Sequence, residues 1–278
     1  MRDLSRDNRF LSINTATLRR ERPLAEVVAA LAAAGISGIG PWREQIQAVG
    51  IKAAATLIGD HGLAVSGVSR AGVFTAKGRA GLQDVVDDNR RAVDEAAGIG
   101  AKCLVLIGGG LIPGSRDIAE ARALFAEGLA ALLPHARAAR LPLAIEPLHP
   151  MYAADRAVIN TLAHANDLCD ALGDGVGVVV DVYHTWWDPS LEQEIARAGA
   201  RRILAFHVSD WLVPTTDLLL DRGMMGDGVI DLRRIRGWVE AAGFQGMCEV
   251  EIFSQRNWWQ RPMDEVLRTC VERYRTVC

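Results

Sequence analysis

Residues 141–150 read LPLAIEPLHP, 175–184 read GVGVVVDVYH, 201–210 read RRILAFHVSD and 246–254 read GMCEVEIFS. In each, a short, largely apolar run closes on ionisable side chains: Glu146, Asp181, His207 and, in the last, Glu249 and Glu251. Near-continuous apolar runs of this length suit strands buried on both faces, as in a parallel sheet covered by helices.

The same reading extends upstream. Apolar runs at 10–14, 38–40, 63–68 and 103–107 join 143–146, 176–181, 203–207 and 247–251 to make eight expected strands. Segments of helical period follow them at 24–34, 44–60, 82–97, 118–139, 158–172, 191–198, 232–242 and 263–277. Several boundaries carry chemical punctuation: Pro23 opens a first turn, Asp231 reads as an N-cap, and Gly35, Gly62, Gly173 and Gly243 stand just past helix ends. The least β-like strand is 38–40, where Gly38, Gly40 and Pro41 intrude. Eight βα units without a Pro/Ser-rich linker favour a single (β/α)8 TIM barrel over a doubly wound sheet, with residues 1–278 as one domain.

Composition agrees with that class. The 278 residues carry 31 Lys plus Arg against 34 Asp plus Glu, a formal charge of -3, and half are apolar. Without a basic run, nucleic acid is not an expected partner. The polar start MRDLSRDNRF and the lack of a long apolar stretch argue against export and membrane insertion. Five widely spaced cysteines, with no Cys-x-x-Cys pair, read as reduced thiols in a cytoplasmic protein.

Barrels of this kind do their chemistry at the C-terminal ends of the strands. Carboxylate, carboxylate, imidazole and carboxylate therefore meet at one rim, and buried carboxylates so close repel unless a counter-charge joins them. A divalent cation resolves the conflict, and mixed oxygen and nitrogen ligation without thiolate suits Mn, Mg, Co or Zn. His149 and His184 lie just beyond the fifth and sixth strands and are candidate substrate contacts, whereas His61, His135 and His164 fall in or beside helices. Trp186 and Trp187 follow in the same loop as His184; they serve either as an apolar wall for a sugar ring or as a barrel plug or dimer contact. Arg222, ahead of a Gly226–Gly228 turn, is a candidate for a substrate hydroxyl or carboxylate. The glycines at 108–110 lack the flanking residues of a phosphate loop and read as a tight turn.

The most specific stretches are AIEPLHP, VVVDVYHTWWDP with its Asp-x-x-His, FHVSD, GDGVID and EVEIFS, within a likeness that spans nearly the whole chain. Together they resemble the sugar phosphate isomerase/epimerase superfamily, the xylose isomerase-like barrels that include hydroxypyruvate isomerases, ketose 3-epimerases, inosose dehydratases and endonuclease IV relatives. The resemblance implies one divalent metal ion on Glu146, Asp181, His207 and Glu251, with Glu249 as the fallback. It further implies Glu146 and Glu251 as acid/base groups and His184 at the substrate. The expected activity is isomerisation or epimerisation of a sugar or related hydroxy-carbonyl compound through a metal-stabilised enediolate. A metal-dependent lyase, with His184 or His149 as acid, is the alternative, and a non-catalytic sugar-binding subunit is a third reading. The expected partner is a small sugar or polyol, with a homo-oligomer compatible with the pattern. Too few extra ligands and no basic groove argue against DNA repair.

Overall fold

Nine parallel strands form a nearly closed barrel of eight staves in this computed structural model, which describes residues 2–19 and 21–278. The staves are β1 (Leu11–Asn14), β2 (Gly38–Gly40), β3 (Ala64–Val65) with β4 (Val68–Gly72), β5 (Leu104–Ile107), β6 (Leu143–Ile145), β7 (Val176–Asp181), β8 (Ile203–Val208) and, after a short hairpin, the last strand at Cys248–Val250. The hairpin pairs β9 (Asp210–Trp211) antiparallel to β10 (Arg222–Gly223), which makes the closing strand β11. Strand order runs β3-β2-β1-β11-β8-β7-β6-β5-β4.

The expected third strand is broken in two. β3 bonds to β2 and β4 bonds to β5, so the chain itself, through Ser66 and Gly67, joins the two ends of the sheet. A Trp42–Ser69 bridge adds a further tie across the break. The short strand at 38–40 forms despite its glycines, because Gly38 and Gly40 face inward where a side chain has no room: a Cβ on Gly38 would lie 2.3 Å from Met247 Sδ.

Among the described residues ten helices complete the units: α1 (Leu24–Ala33), α2 (Arg43–Val49), α3 (Ile51–Asp60), α4 (Leu82–Gly98), α5 (Ile118–Ala138), α6 (Leu162–Leu172), α7 (Val182–Thr185), α8 (Leu191–Arg202), α9 (Leu232–Ala241) and α10 (Met263–Thr276). The helix expected over 44–60 divides at Gly50, whose φ of 85° leaves the helical region. The one expected from 158 starts later, at Leu162, where the Thr161 side chain accepts the His164 N–H as N-cap. Asp231 caps α9 as anticipated, accepting the Arg234 N–H.

Alternation along each strand sorts residues between two environments. Leu11, Ile13, Leu104, Leu106, Leu143, Ile145, Val178, Val180, Phe206, Val208 and Val250 belong to the large core between barrel and helices. Cys103, Val105, Ala144, Val179 and Ala205 form a separate, smaller cluster inside the barrel. Residues two positions further along the inward face, namely Glu146, Asp181 and His207, emerge above that plug. Parallel register then sets Asp181 beside His207 on β7 and β8, and Glu249 beside His207 on β11.

Candidate metal centre and cavity

Glu146, Asp181, His207 and Glu251 each bring one ligand atom into a group whose members all lie within 4.8 Å of one another. All four are buried. His207 Nδ1 stands 3.1 Å from Glu146 Oε1 and 4.0 Å from Glu251 Oε2. Asp181 is fixed by its Oδ1, which accepts the Tyr183 N–H at 2.7 Å where α7 begins, while its buried Oδ2 has no hydrogen-bond partner. A carboxylate oxygen without a hydrogen bond, facing two further carboxylates and an imidazole, is a costly arrangement for a chain alone. The donor set, three oxygens and one nitrogen without thiolate, fits a divalent cation.

The electrostatics match that reading. Burial first, then neighbouring carboxylates, push the Asp181 carboxyl up to about 6 and that of Glu251 to about 7, although Arg222 pulls both down. Burial would lower His207, but Glu249, Glu146 and Glu251 outweigh it and raise the imidazole to about 10. The polypeptide alone therefore holds protons where a cation would sit.

Glu249 is not one of the quartet. It points inward from β11 one layer below Glu251, and its oxygens are already engaged: Asn14 Nδ2 donates to Oε1 at 2.8 Å and Ser66 Oγ to Oε2 at 2.5 Å. Gly40 makes the space, since a Cβ there would lie 2.3 Å from Glu249 Oε1. Asn14 in turn accepts the Trp42 indole N–H at 2.8 Å.

Arg222 arrives from β10 and lies fully inside the site. Its Nη1 is 3.0 Å from Glu251 Oε2 and 3.5 Å from Asp181 Oδ2, and its Nη2 donates to His184 Nε2 at 3.1 Å. The guanidinium is sandwiched between the rings of Tyr183 and Phe253, 4.5 and 4.9 Å from their centroids. The hairpin that carries it is anchored by Asp210, which accepts the N–H groups of Gly226, Gly228 and Ile230. Gly228 is required there, because a Cβ would lie 2.1 Å from Trp211 O.

A cavity of about 330 Å³ opens above the cluster, lined by Glu146, Glu251, His184 and Arg222 among the anticipated residues. His149, Trp186 and Trp187 stand behind that wall instead of on it. The helical turn of α7 folds the chain back: Trp187 Nε1 donates to His184 O, Trp187 packs edge-on against His149, and Trp186 packs against Trp211. The backbone N–H of His149 points at His184 Nδ1, 3.3 Å away. The aromatic wall is formed by Trp42, Tyr152, Phe253 and Trp259. Arg70 and Arg156 also line the cavity and were not singled out from the sequence: Arg70 lies in β4, beyond the run expected as the third strand, and Arg156 sits on a loop that no periodicity marks. Asn14 could have been found: it is the polar residue that closes β1.

A family profile described as xylose isomerase-like TIM barrel matches residues 28–270. The chain belongs to that family. The crystal structure of protein SMc04130 from Sinorhizobium meliloti 1021 is 59% identical and superposes with a TM-score of 0.94, covering 97% of this chain and 98% of that one. An inosose isomerase of Bacillus licheniformis is 24% identical over 208 residues, 72% of this chain and 70% of that protein. The match to the inosose isomerase of Bacillus velezensis, 27% identical over 124 residues, spans 42% of each chain. The IolI protein, solved with a zinc atom, shares the barrel at a TM-score of 0.79 and 19% identity over 94% of this chain and 95% of that one. No helix among the described residues is long and apolar enough to cross a membrane.

Proposed function

We propose that this protein is a metal-dependent isomerase or epimerase of a sugar or related hydroxy-carbonyl compound, working by proton transfer through an enediolate. The observation that carries the reading is the buried quartet of Glu146, Asp181, His207 and Glu251, with an Asp181 oxygen that makes no hydrogen bond, set at the floor of a sugar-sized cavity. The inosose isomerases among its relatives point the same way.

A divalent cation (Mn, Mg, Co or Zn) on these four side chains would supply the Lewis acidity that weakens the C–H bond between a carbonyl and its neighbouring hydroxyl. Glu251 holds the proton-accepting position. Arg222 keeps Oε2 in place, and the carboxylate faces the cavity, where it can take and return a proton. Glu146, three staves round the barrel and held by His207 Nδ1, is its counterpart. Arg222 and His184 orient substrate oxygens, while Trp42, Phe253 and Trp259 exclude water from the reacting carbons.

The lyase alternative asks His184 or His149 to protonate a leaving hydroxyl. Burial, followed by the Arg222 charge, holds the His184 imidazole well below its ordinary value, and Arg222 Nη2 occupies Nε2. His149 is likewise lowered by burial. Neither is a ready proton donor, so isomerisation is preferred. The five cysteines are free and buried, and a cytoplasmic location for one barrel domain forms part of this proposal.

The test is solvent exchange. The metal-loaded protein is incubated in deuterated water with a panel of ketoses and inososes, and deuterium should enter at the carbon beside the carbonyl with the skeleton and oxygen count retained. Exchange coupled to loss of water would establish the lyase instead. No exchange on any member of the panel, with the metal bound, would remove sugar proton transfer from consideration.

A further inference from the structure

The cavity contains a guanidinium that makes no hydrogen bond or ion pair among the described residues, although Asp217 feels its charge. Arg156 lies on the loop after β6, half-buried, and lines the cavity beside Tyr152. Its guanidinium is 5.8 Å from the centroid of the Tyr152 ring, and that ring is held by the hydroxyl's bond to Leu218 O. Among the described residues no carboxylate or carbonyl takes the Arg156 donors. Comparable arginines are spent: Arg222 on Glu251, Arg43 on Glu95 and Asp88, Arg122 on Val158 O.

The loop is also fixed in place. Leu111 N donates to Ala154 O at 2.9 Å, Val158 N donates to Gly109 O at 2.9 Å, and Gly109 bridges Ala157. The glycines at 108–110 allow this closeness: a Cβ on Gly110 would lie 2.5 Å from Ala154 O, and one on Gly108 3.0 Å from Val158 N. Their function is thus to seat the Arg156 loop against the end of β5. Two staves before it, Arg70 on β4 lines the same cavity with its guanidinium 5.7 Å from the Trp42 ring, and Ile107 at the end of β5 also lines it.

Charge divides along the same line. A divalent cation and Arg222 balance Glu146, Asp181 and Glu251, all on staves five to eight. Arg70 and Arg156 bring two guanidinium groups to the side of the cavity over staves three to five. A guanidinium whose donors the protein leaves open can bind a planar or tetrahedral anion in bidentate fashion.

We propose that the substrate carries a terminal anionic group, a carboxylate or a phosphate, at the end remote from the reacting carbons, and that Arg156 receives it with Arg70 alongside. This rests on the ketose-handling function proposed above and narrows it to acidic or phosphorylated sugars.

Three matched probes test it on the metal-loaded protein by titration calorimetry: D-fructose, D-fructuronate and D-fructose 6-phosphate. One or both anionic ketoses should bind about 10-fold or more tighter than D-fructose, in keeping with charge-assisted hydrogen bonds. Whichever gains identifies the anion. In Arg156→Gln that ratio should fall toward one, with Arg156→Lys recovering part of it, and thermal unfolding of each variant confirms the fold. Fructose binding with no gain for either anion, or a gain that survives Arg156→Gln, overturns the inference and leaves the proposed function standing. If none of the three binds, the ketose reading fails and this inference falls with it.

Discussion

Glu249 Oε1 and His207 Nε2 face each other at 3.7 Å, on the opposite side of the imidazole from Glu146, which lies 3.1 Å from Nδ1. The Nε2 atom is buried and has no other partner. One carboxylate, held by Asn14 and Ser66, thus backs a second group that faces the cation position. Outer carboxylates of this kind set the orientation and basicity of a ligating histidine. Glu249→Gln should weaken metal retention by about 10- to 100-fold, measured by competition with a chelator. Unchanged affinity would leave Glu249 a purely structural group.

Gly40 should tolerate no side chain. Gly40→Ala places a methyl 2.3 Å from Glu249 Oε1 and must push that carboxylate off Asn14. We expect a loss of about 1–3 kcal/mol in unfolding free energy together with lower metal affinity. A destabilised protein with unchanged affinity would separate the packing of Glu249 from its effect on His207.

Metal uptake should release protons. With Asp181 near 6, Glu251 near 7 and His207 near 10, the protonated forms belong to the metal-free protein, and a cation competes with those protons. The sign follows: apparent affinity rises with pH and falls off as pH drops through 7 toward 6. About one proton per ion should appear at pH 8, from His207, and between two and three at pH 6, as Glu251 and, in part, Asp181 contribute. A pH indicator in weakly buffered solution reads this directly.

Removing Arg222 should cost more than a surface arginine. It is the positive partner of both Glu251 and Asp181, so Arg222→Ala leaves buried carboxylates uncompensated, a loss of about 3–5 kcal/mol in the metal-free protein. Denaturant unfolding before and after metal loading checks it. Arg222→Lys should restore charge but not the stacking between Tyr183 and Phe253, and should recover only part of the stability.

Glu146→Gln and Glu251→Gln keep shape and remove the base. Each should lower turnover by about 10² to 10⁴ once an active substrate is in hand, with bound metal measured in the same samples. Retained metal with near-normal turnover in both variants would exclude the two-glutamate mechanism.

The barrel and three members of the cluster, Glu146, Asp181 and His207, were legible in the residues because they rest on local pattern. Apolar runs that close on Glu146, Asp181 and His207 place those side chains at strand ends whatever the rest of the chain does, since period and strand length set their face. Where local chemistry was ambiguous, packing decided. Glu249 and Glu251 share one face of β11, and only Gly40, Asn14 and Ser66, drawn from other staves, determine that Glu249 is held below and Glu251 is left to the cavity. Trp186 and Trp187 follow β7 in the same loop as His184, yet the turn of α7 folds them behind it, where Trp187 packs on His149. Arg156 acquires its place through the glycines after β5, nearly fifty residues upstream. Strand ends are dictated by sequence spacing, but a loop's side chains take their direction from whatever the neighbouring staves leave open, and that space exists only once the barrel has closed.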